Sequence, residues 1–132
     1  VPVVGFGTSE LPAFWVRASG LPLEVRCDEP AGVARLLAAH WSWPASGGVL
    51  VANPCPADAA LPGEAVDGAI ERSLAAAKEK GVSGKAVTPF LLARLAEETG
   101  GRTLAANRAL VVSNASVAAR IAVALAEGAP RP

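Results

Sequence analysis

A short apolar run that stops in an Asn-Pro-x-Pro sequence constrains the fold of this chain more than any other feature. The run Val49–Ala52 predicts a strand covered on both faces, within a central strand over residues 47–52. Pro54 and Pro56 have no backbone N–H to donate, so the strand must end before them. Asn53 is therefore expected at the carboxyl end of a central strand, the edge at which α/β sheets bind ligands. Asn also often closes its own turn, so a structural role and a ligand-binding role both remain open for Asn53.

Strands and helices alternate along the chain, which predicts an α/β fold. Predicted strands cover residues 1–6, 23–27 and 47–52, and the second is expected near a sheet edge because it alternates apolar and charged residues. Four helices are predicted. The first is capped by Asp28 and ends at His40 or Trp41, and the second covers residues 61–80 and is ended by Gly81. The third runs from an N-cap at Thr88 to Gly100, and the fourth covers residues 103–128. Their expected buried positions are Val33, Leu36 and Leu37 in the first helix and Ala65, Ala69, Ile70, Leu74 and Ala77 in the second. Residues 129–132 are predicted to be a tail or linker.

Composition excludes several classes of protein. The chain is 52% hydrophobic and 18% charged, which is typical of a packed globule of one domain. Its 12 basic and 12 acidic residues leave no basic stripe, so no nucleic-acid partner is expected. No apolar run is expected to reach the length of a membrane span, so no membrane partner is expected either. Cys27 and Cys55 are too few for a disulfide scaffold, and we expect reduced thiols in a cytoplasmic protein.

The start of the chain is unusual for a natural protein. There is no Met, and the sequence begins directly on a predicted strand at Val1. We therefore expect the 132 residues to be a piece of a longer protein.

Two amides interrupt the apolar face of the last predicted helix. Asn107 and Asn114 are seven residues apart, about two helical turns, and so share a face. Asn is a mediocre helix former, so these positions need a reason. Either the amides anchor the helix to the sheet, or they contact a ligand that offers donors and acceptors, such as a nucleobase or a sugar. The pattern leaves both open for Asn107 and favours the structural role for Asn114. The shared face is completed by Leu110, Val111, Ala118, Ile121 and Leu125.

Other candidate residues carry weaker signals. His40, the only histidine, is expected to lie solvated at the negative end of a helix, and no Cys cluster accompanies it, so no complete metal site is expected within the chain. The run from Gly5 to Thr8 resembles half of a phosphate loop but lacks the third glycine. Glu10 follows a strand and could act as a general acid or base or could equally cap the next segment.

Four segments occur in the order found in one known family. Residues 5–14, 47–56, 84–94 and 107–114 together resemble the C-terminal part of the pseudouridine-5′-phosphate glycosidase, or indigoidine synthase A-like, family. The resemblance covers essentially the whole chain. It implies a three-layer α/β/α fold with a mixed sheet, of which residues 1–128 would form the C-terminal half of a single domain.

The resemblance also implies a reaction. Members of the family reversibly cleave the C–C glycosidic bond of pseudouridine 5′-phosphate to uracil and ribose 5-phosphate, through a Schiff base between a lysine and the opened sugar. A carboxylate transfers the proton and a divalent metal, typically Mn²⁺, organises the site. The matching lysine, metal ligands, proton donor and phosphate-binding residues all fall before Val1, so catalytic and metal residues are predicted to be absent from this chain. Lys78, Lys80 and Lys85 do not match the nucleophile.

The substrate contacts expected within the chain are few. Asn107 matches an asparagine that faces uracil, whereas Asn53 and Thr8 are predicted from their strand-end positions and Asn114 from the shared helix face. Ser113 stands where the family commonly has a second asparagine, which puts one peripheral contact in doubt. The expected partners are the small-molecule substrate, the protein's own N-terminal half and a homotrimer. Two alternatives remain: a non-catalytic binding or assembly module, and an enzyme acting on another C-glycoside or sugar phosphate.

Overall fold

A computed structural model describes residues 1–44 and 47–128 and confirms the α/β class. The predicted tail at 129–132 lies outside the described residues. A single 3₁₀ turn, Gly84–Ala86, precedes the third helix. In chain order the strands are β1 (Val3–Phe6), β2 (Arg26–Cys27) and β3 (Leu50–Ala52), and the helices are α1 (Pro30–Trp41), α2 (Gly63–Glu79), α3 (Val87–Glu98) and α4 (Arg102–Gly128).

The strands form a parallel sheet in the order β2-β1-β3, with Val3 opposite Leu50 and Gly5 opposite Ala52. The central strand is thus β1, and the prediction that the 47–52 segment is central is wrong for the sheet formed by the described residues. There β3 is an edge strand, and the Leu50 side chain is 52% exposed. An apolar run shows that a strand can be buried, but it does not supply the neighbour that buries it. The antiparallel strands of the predicted mixed sheet are not among these three.

Helices cover one face of the sheet. Val4 and Phe6 point from β1 into an apolar cluster with α1 and α4. The other members of this cluster are Val33, Leu37, Val117 and Ile121. No second helical layer forms on the opposite face within residues 1–44 and 47–128, so the three-layer arrangement stays a prediction. Instead α2 and α3 pack beside the sheet around the first turns of α4, in a second cluster built on Trp15, Cys55, Leu61, Val66, Ala69, Leu95, Ala106 and Leu110.

Two predicted helix caps are wrong, although the helices themselves are confirmed. Helix α1 begins after Glu29, and the Asp28 carboxylate instead pairs with the Arg26 guanidinium at 2.7 Å. This hydrogen bond and the charge of Asp28 raise the pKa of Arg26. Thr88 lies inside α3, because the preceding 3₁₀ turn moves the start of the helix to Val87. The predicted end at Gly81 is confirmed, with φ of +64°.

The buried stripe of α2 is displaced from its predicted position. Ala65 is exposed and Leu74 is 48% exposed, whereas Ala69 and Ala77 are buried as predicted. The buried line is completed by Val66 and Ser73. Alanines occur around much of this helix, so the apolar period alone does not fix which face is turned inward. In α1, Val33 and Leu37 are buried and Leu36 is partly buried.

Helix α4 corrects the expectation that nothing in the chain has the length of a membrane span. Its 27 residues include an 18-residue window apolar enough to cross a bilayer by length and composition, and only 17% of that window is buried. One such helix is weak evidence, because core helices pass the same test. Here one face of α4 packs on α1 and β1, while Val111, Val112 and Val123 are exposed on the rest of its surface.

Gly5 provides a test of the packing around β1. A Cβ at this position would lie 2.1 Å from the Thr8 carbonyl oxygen, which is backbone and cannot move aside. We expect Gly5→Ala in the folded protein to lower the free energy of unfolding by about 1–3 kcal/mol, measured by urea denaturation. Gly32→Ala, in helix α1, is the matched control. A Cβ at Gly32 would meet nothing closer than the Cys27 sulfur, at 3.5 Å. The control should be unchanged or gain about 0.4–1 kcal/mol, and equal behaviour of the two variants would contradict this packing.

Candidate functional site

The candidate site is a pocket of about 630 Å³ at the carboxyl end of β3. It lies between the loop 11–14, the end of β3 and the middle of α4. Asn53, Asn107 and Asn114 line it together, so the structure unites three of the four predicted substrate-binding residues. The remaining lining side chains are apolar, among them Phe14 and Val111, and no charged side chain of the described chain lines the pocket. This lining suits an uncharged ligand group with a few polar atoms.

Asn107 has the structural role that the sequence left open, and its substrate contact stays a prediction. Its Oδ1 accepts a hydrogen bond from the indole Nε1 of Trp15 at 2.8 Å, across 92 residues of sequence. An indole N–H only donates, so the atom facing Trp15 must be the amide oxygen. The amide Nδ2 has no hydrogen-bond partner in the described part of the chain, and the residue borders the pocket. The oxygen therefore anchors α4, and the NH₂ group is not used in this contact.

Trp15 lies in a tight turn in which the backbone N–H of Ala13 and that of Val16 each donate to the other residue's carbonyl. The indole is 6% exposed, and the Trp15 carbonyl accepts a hydrogen bond from Leu61 N–H at 3.0 Å. The preceding residue, Phe14, has φ of +56°, which is unusual for a bulky side chain. Its ring lines the pocket and lies 4.7 Å from the Trp15 ring, centroid to centroid. A strained aromatic residue at the rim of a pocket is a common mark of a functional loop.

Asn53 does not close its own turn but binds α4. Its Nδ2 donates to Ser113 Oγ and to Asn114 Oδ1, both at 2.9 Å. These bonds connect the carboxyl end of β3 to the middle of α4, which fits the structural role favoured for Asn114. Ser113, expected to be peripheral, is one of the two acceptors. The predicted substrate contacts of Asn53 and Asn114 stay predictions.

Thr8 lies at the same edge of the sheet as Asn53 but outside this pocket. Its Oγ1 donates to the Glu10 carbonyl at 2.9 Å and receives the Glu10 N–H at 3.2 Å, so the hydroxyl is occupied by the turn after β1. The Glu10 carboxylate accepts the Gly20 N–H at 2.9 Å, which supports its structural alternative. Thr8 therefore lies on the predicted edge but does not line the pocket, and its predicted substrate contact stays a prediction.

The remaining titratable candidates lie elsewhere. The His40 ring nitrogen Nε2 lies 3.0 Å from the Gly47 carbonyl in the last turn of α1, so it is partly buried and bonded rather than only solvated. Cys27 and Cys55 are free thiols, and burial raises the pKa of the Cys55 thiol, opposed by Arg17 and assisted by Asp58. Across residues 1–44 and 47–128 no three His, Cys, Asp or Glu side chains are grouped closely enough to hold a metal ion. The predicted metal ligands outside the chain stay a prediction.

Sequence reasoning missed Trp15 and Phe14, and it treated Ser113 as peripheral although Ser113 accepts a hydrogen bond from Asn53. A signal for Trp15 existed, because a buried indole N–H needs an acceptor and the apolar turn around it offers none nearby. An asparagine on an apolar helix face is a natural acceptor. The sequence could not show which distant asparagine would meet it.

A parallel sheet with amides gathered at one strand's carboxyl end defines part of an α/β domain, with a pocket at the edge where such sheets commonly bind ligands. The family model described as "Indigoidine synthase A like protein" matches residues 1–124, and this chain belongs to that family. The pseudouridine-5′-phosphate glycosidase of Rhodospirillum centenum is 54% identical over 123 residues, which cover 93% of this chain and 38% of that protein. The namesake from Methylobacterium nodulans is 49% identical, over 95% of this chain and 37% of its own length.

Two solved structures share the fold. Prealnumycin C-glycosynthase AlnA, solved in complex with ribulose 5-phosphate, matches with a TM-score of 0.87 and 38% identity over 95% of this chain and 41% of that chain. An indigoidine synthase A-like protein from Thermotoga maritima matches with a TM-score of 0.76 and 39% identity, over 95% of this chain and 41% of that chain. The chain thus spans about two-fifths of the length of the relatives it matches.

The Asn53–Asn114 hydrogen bond can be measured by a double-mutant cycle. Asn53→Ala removes two bonds to α4 and should lower the free energy of unfolding by about 1–2 kcal/mol, whereas Asn114→Ala removes one and should cost about 0.5–1 kcal/mol. The double variant should cost less than the sum of the two, by about 0.5 kcal/mol or more, because the shared bond is lost only once. Strict additivity in urea denaturation would show that these amides do not interact.

Proposed function

We propose that this chain is the C-terminal part of a pseudouridine-5′-phosphate glycosidase that reversibly converts pseudouridine 5′-phosphate to uracil and ribose 5-phosphate. The observation that carries the proposal is the 54% and 49% identity to glycosidases of that name over nearly the whole chain. The pocket supports it, because a matching asparagine, Asn107, presents a free NH₂ group there.

The chemistry of the pocket favours the uracil end of the substrate over the phosphate end. A phosphate carries two negative charges and is usually met by Arg, Lys or a row of backbone N–H groups. The described lining offers three amides and apolar side chains, with no cation. A planar, uncharged base with carbonyl oxygens fits such a surface, and the Phe14 ring offers it an aromatic face.

We place the covalent chemistry outside this chain. Following the resemblance, the lysine that forms the Schiff base, the proton-transferring carboxylate and the ligands of a divalent metal, typically Mn²⁺, belong to the part of the family domain that this chain does not span. Lys78, Lys80 and Lys85 do not line the pocket, and Lys80 instead lies over the Phe90 ring at 5.6 Å. The described residues form no metal-binding group, so no step of this chain is assigned to the metal. We also propose a cytoplasmic homotrimer, following the family resemblance.

Apolar surfaces of β3 and α4 are uncovered in this chain, and the N-terminal half of the family domain is their proposed partner. Leu50 on the β3 edge and Val111 and Val112 on α4 are exposed, at 52%, 69% and 70%. An edge strand with unpaired backbone groups invites another strand. We propose that the N-terminal half of the family domain covers the β3 edge and this part of α4, and so closes the pocket from the open side.

One neighbour favours a second candidate function. The TM-score of 0.87 belongs to a C-glycosynthase whose structure holds ribulose 5-phosphate, which is a different sugar phosphate. An enzyme that makes or breaks another C-glycoside would share the fold and the base-side pocket. Assaying the whole protein with pseudouridine 5′-phosphate decides between them, because only the glycosidase releases uracil. A whole protein that turns over no C-glycoside would favour a non-catalytic module.

The first activity prediction concerns residues 1–132 alone. We expect no turnover of pseudouridine 5′-phosphate, and none of uracil with ribose 5-phosphate, because a covalent mechanism without its nucleophile loses orders of magnitude in rate. The whole protein is the positive control. Uracil release by a clean preparation of the fragment, followed by chromatography, would show that the catalytic residues lie within this chain.

The second activity prediction concerns Asn107. In the whole protein, Asn107→Ala should lower kcat/KM for pseudouridine 5′-phosphate by about ten- to a hundredfold, because a base carbonyl loses its donor. Some loss of melting temperature should accompany it, since Trp15 loses its acceptor. Asn114→Ala is the same-face comparison and should cost less in kcat/KM. Unchanged kinetics in a destabilised Asn107→Ala protein would return Asn107 to helix anchoring alone.

A further inference from the structure

We propose that Trp15 is a positioning residue: its indole N–H locks the Asn107 amide with the NH₂ group toward the pocket, so that the pocket selects a hydrogen-bond acceptor. The inference rests on the proposed function for the identity of the ligand group, a carbonyl oxygen of uracil. It assigns a role to a residue that does not itself line the pocket.

The lock follows from the chemistry of the two side chains. An asparagine amide can present either its oxygen or its NH₂ group in a given direction, and the two ends have nearly the same size. Opposite Trp15 only the oxygen is compatible, because the NH₂ group would place two donors against each other. The 2.8 Å distance between Trp15 Nε1 and Asn107 Oδ1 therefore fixes the amide in one of its two orientations.

Trp15 can act as a lock because its own position is fixed. The indole is 6% exposed and packs among Leu61, Ala106 and Leu110. Its backbone belongs to the turn closed by Ala13 and Val16, and its carbonyl is held by the Leu61 N–H at 3.0 Å. Rotation of the indole away from Asn107 would break this packing, so the N–H direction is set by the fold.

The orientation decides what the pocket accepts. With its oxygen committed to Trp15, Asn107 offers the pocket donors, and the surrounding lining is apolar with no charged group among the described residues. A ligand carbonyl opposite the NH₂ group is matched, whereas a ligand N–H at the same place would leave two donors unpaired in a partly dry site. The N3–H of uracil must then be met by a group other than Asn107.

The test measures the two Michaelis constants of the whole enzyme in the synthetic direction. In Trp15→Phe the ring is kept and the N–H is lost, so the amide is free to take other orientations. If the competent orientation falls to about a tenth of the population, KM for uracil rises about tenfold. KM for ribose 5-phosphate should stay within about twofold, because the sugar phosphate does not meet Asn107. Trp41→Phe is the control, since it also deletes an indole hydrogen bond, to Gly47 at 3.2 Å, but outside this pocket.

Asn107→Asp tests the same lock without disturbing Trp15. A carboxylate oxygen still accepts the indole N–H, so the melting temperature should stay close to that of the wild type. The group facing the pocket is now an acceptor, and KM for uracil should rise at least as much as in Trp15→Phe. If Trp15→Phe does not fold, the NMR measurement of the Trp15 indole proton in the Asn107 variants carries the test.

Each outcome separates the inference from the proposed function. An unchanged KM for uracil in Trp15→Phe, or an equal rise of both Michaelis constants, would overturn the positioning role in an active enzyme. A wild-type protein without turnover would overturn the proposed function instead. The lock would then be judged by the Trp15 indole proton in NMR, which should shift upfield in Asn107→Ala and should not shift upfield in Asn107→Asp, where a charged acceptor replaces the amide oxygen. An indole resonance that ignores Asn107→Ala would overturn it.

Discussion

The structure depends on the packing of one helix, α4, into two separate apolar clusters. Near its start, Ala106 and Leu110 pack with Trp15 and the helices α2 and α3, and farther along, Val117 and Ile121 pack on β1 and α1. No other element of residues 1–44 and 47–128 contributes buried residues to both clusters. A helix of 27 residues is about 40 Å long, enough to reach across both. The two parts of the fold are therefore held at a distance and angle set by this helix.

Three polar residues of α4 occur near the point where the helix passes from one cluster to the other. Asn107, Ser113 and Asn114 lie between or beside the two apolar stretches, next to the point where β3 ends at Asn53. The carboxyl end of a strand cannot be filled by apolar packing alone, because its last backbone groups and the turn after it need partners. The pocket is thus a consequence of a long helix crossing the end of a strand. The amides make hydrogen bonds that hold the helix at this crossing, whether or not a ligand is bound.

The sequence predicted the elements well and their neighbours poorly. The α/β class, the helix ending at Gly81 and the long last helix follow from local signals, and these are confirmed. The edge position of β3 and the displaced stripe of α2 depend on which surfaces meet, and no local pattern contains that information. The caps at Asp28 and Thr88 failed because nearby alternatives, an ion pair and a 3₁₀ turn, were competitive.

The same distinction applies to the candidate site. Asn53, Asn107 and Asn114 were predictable, because amides in apolar runs are costly and need a reason. The sequence placed Asn53 at a strand end and Asn107 and Asn114 on one helix face, but it did not predict that all three would line one pocket. Trp15 was not foreseen, because its contact with Asn107 joins residues 92 positions apart. Contacts of this kind are set by the closure of the whole fold.

The described lining of the pocket holds no titratable side chain. In the proposed enzyme, recognition of the base and catalysis would therefore depend on different residues. Amides and apolar groups recognise a neutral base in the same way at any pH at which the protein is folded, because none of them gains or loses a proton. Proton transfer and covalent attack need groups whose pKa values are tuned by charge and burial. In the proposed enzyme those groups belong to the other part of the family domain. Recognition of the base on an uncharged surface would then be separated from the chemistry at the sugar, and the pH dependence of catalysis would arise from residues outside this chain.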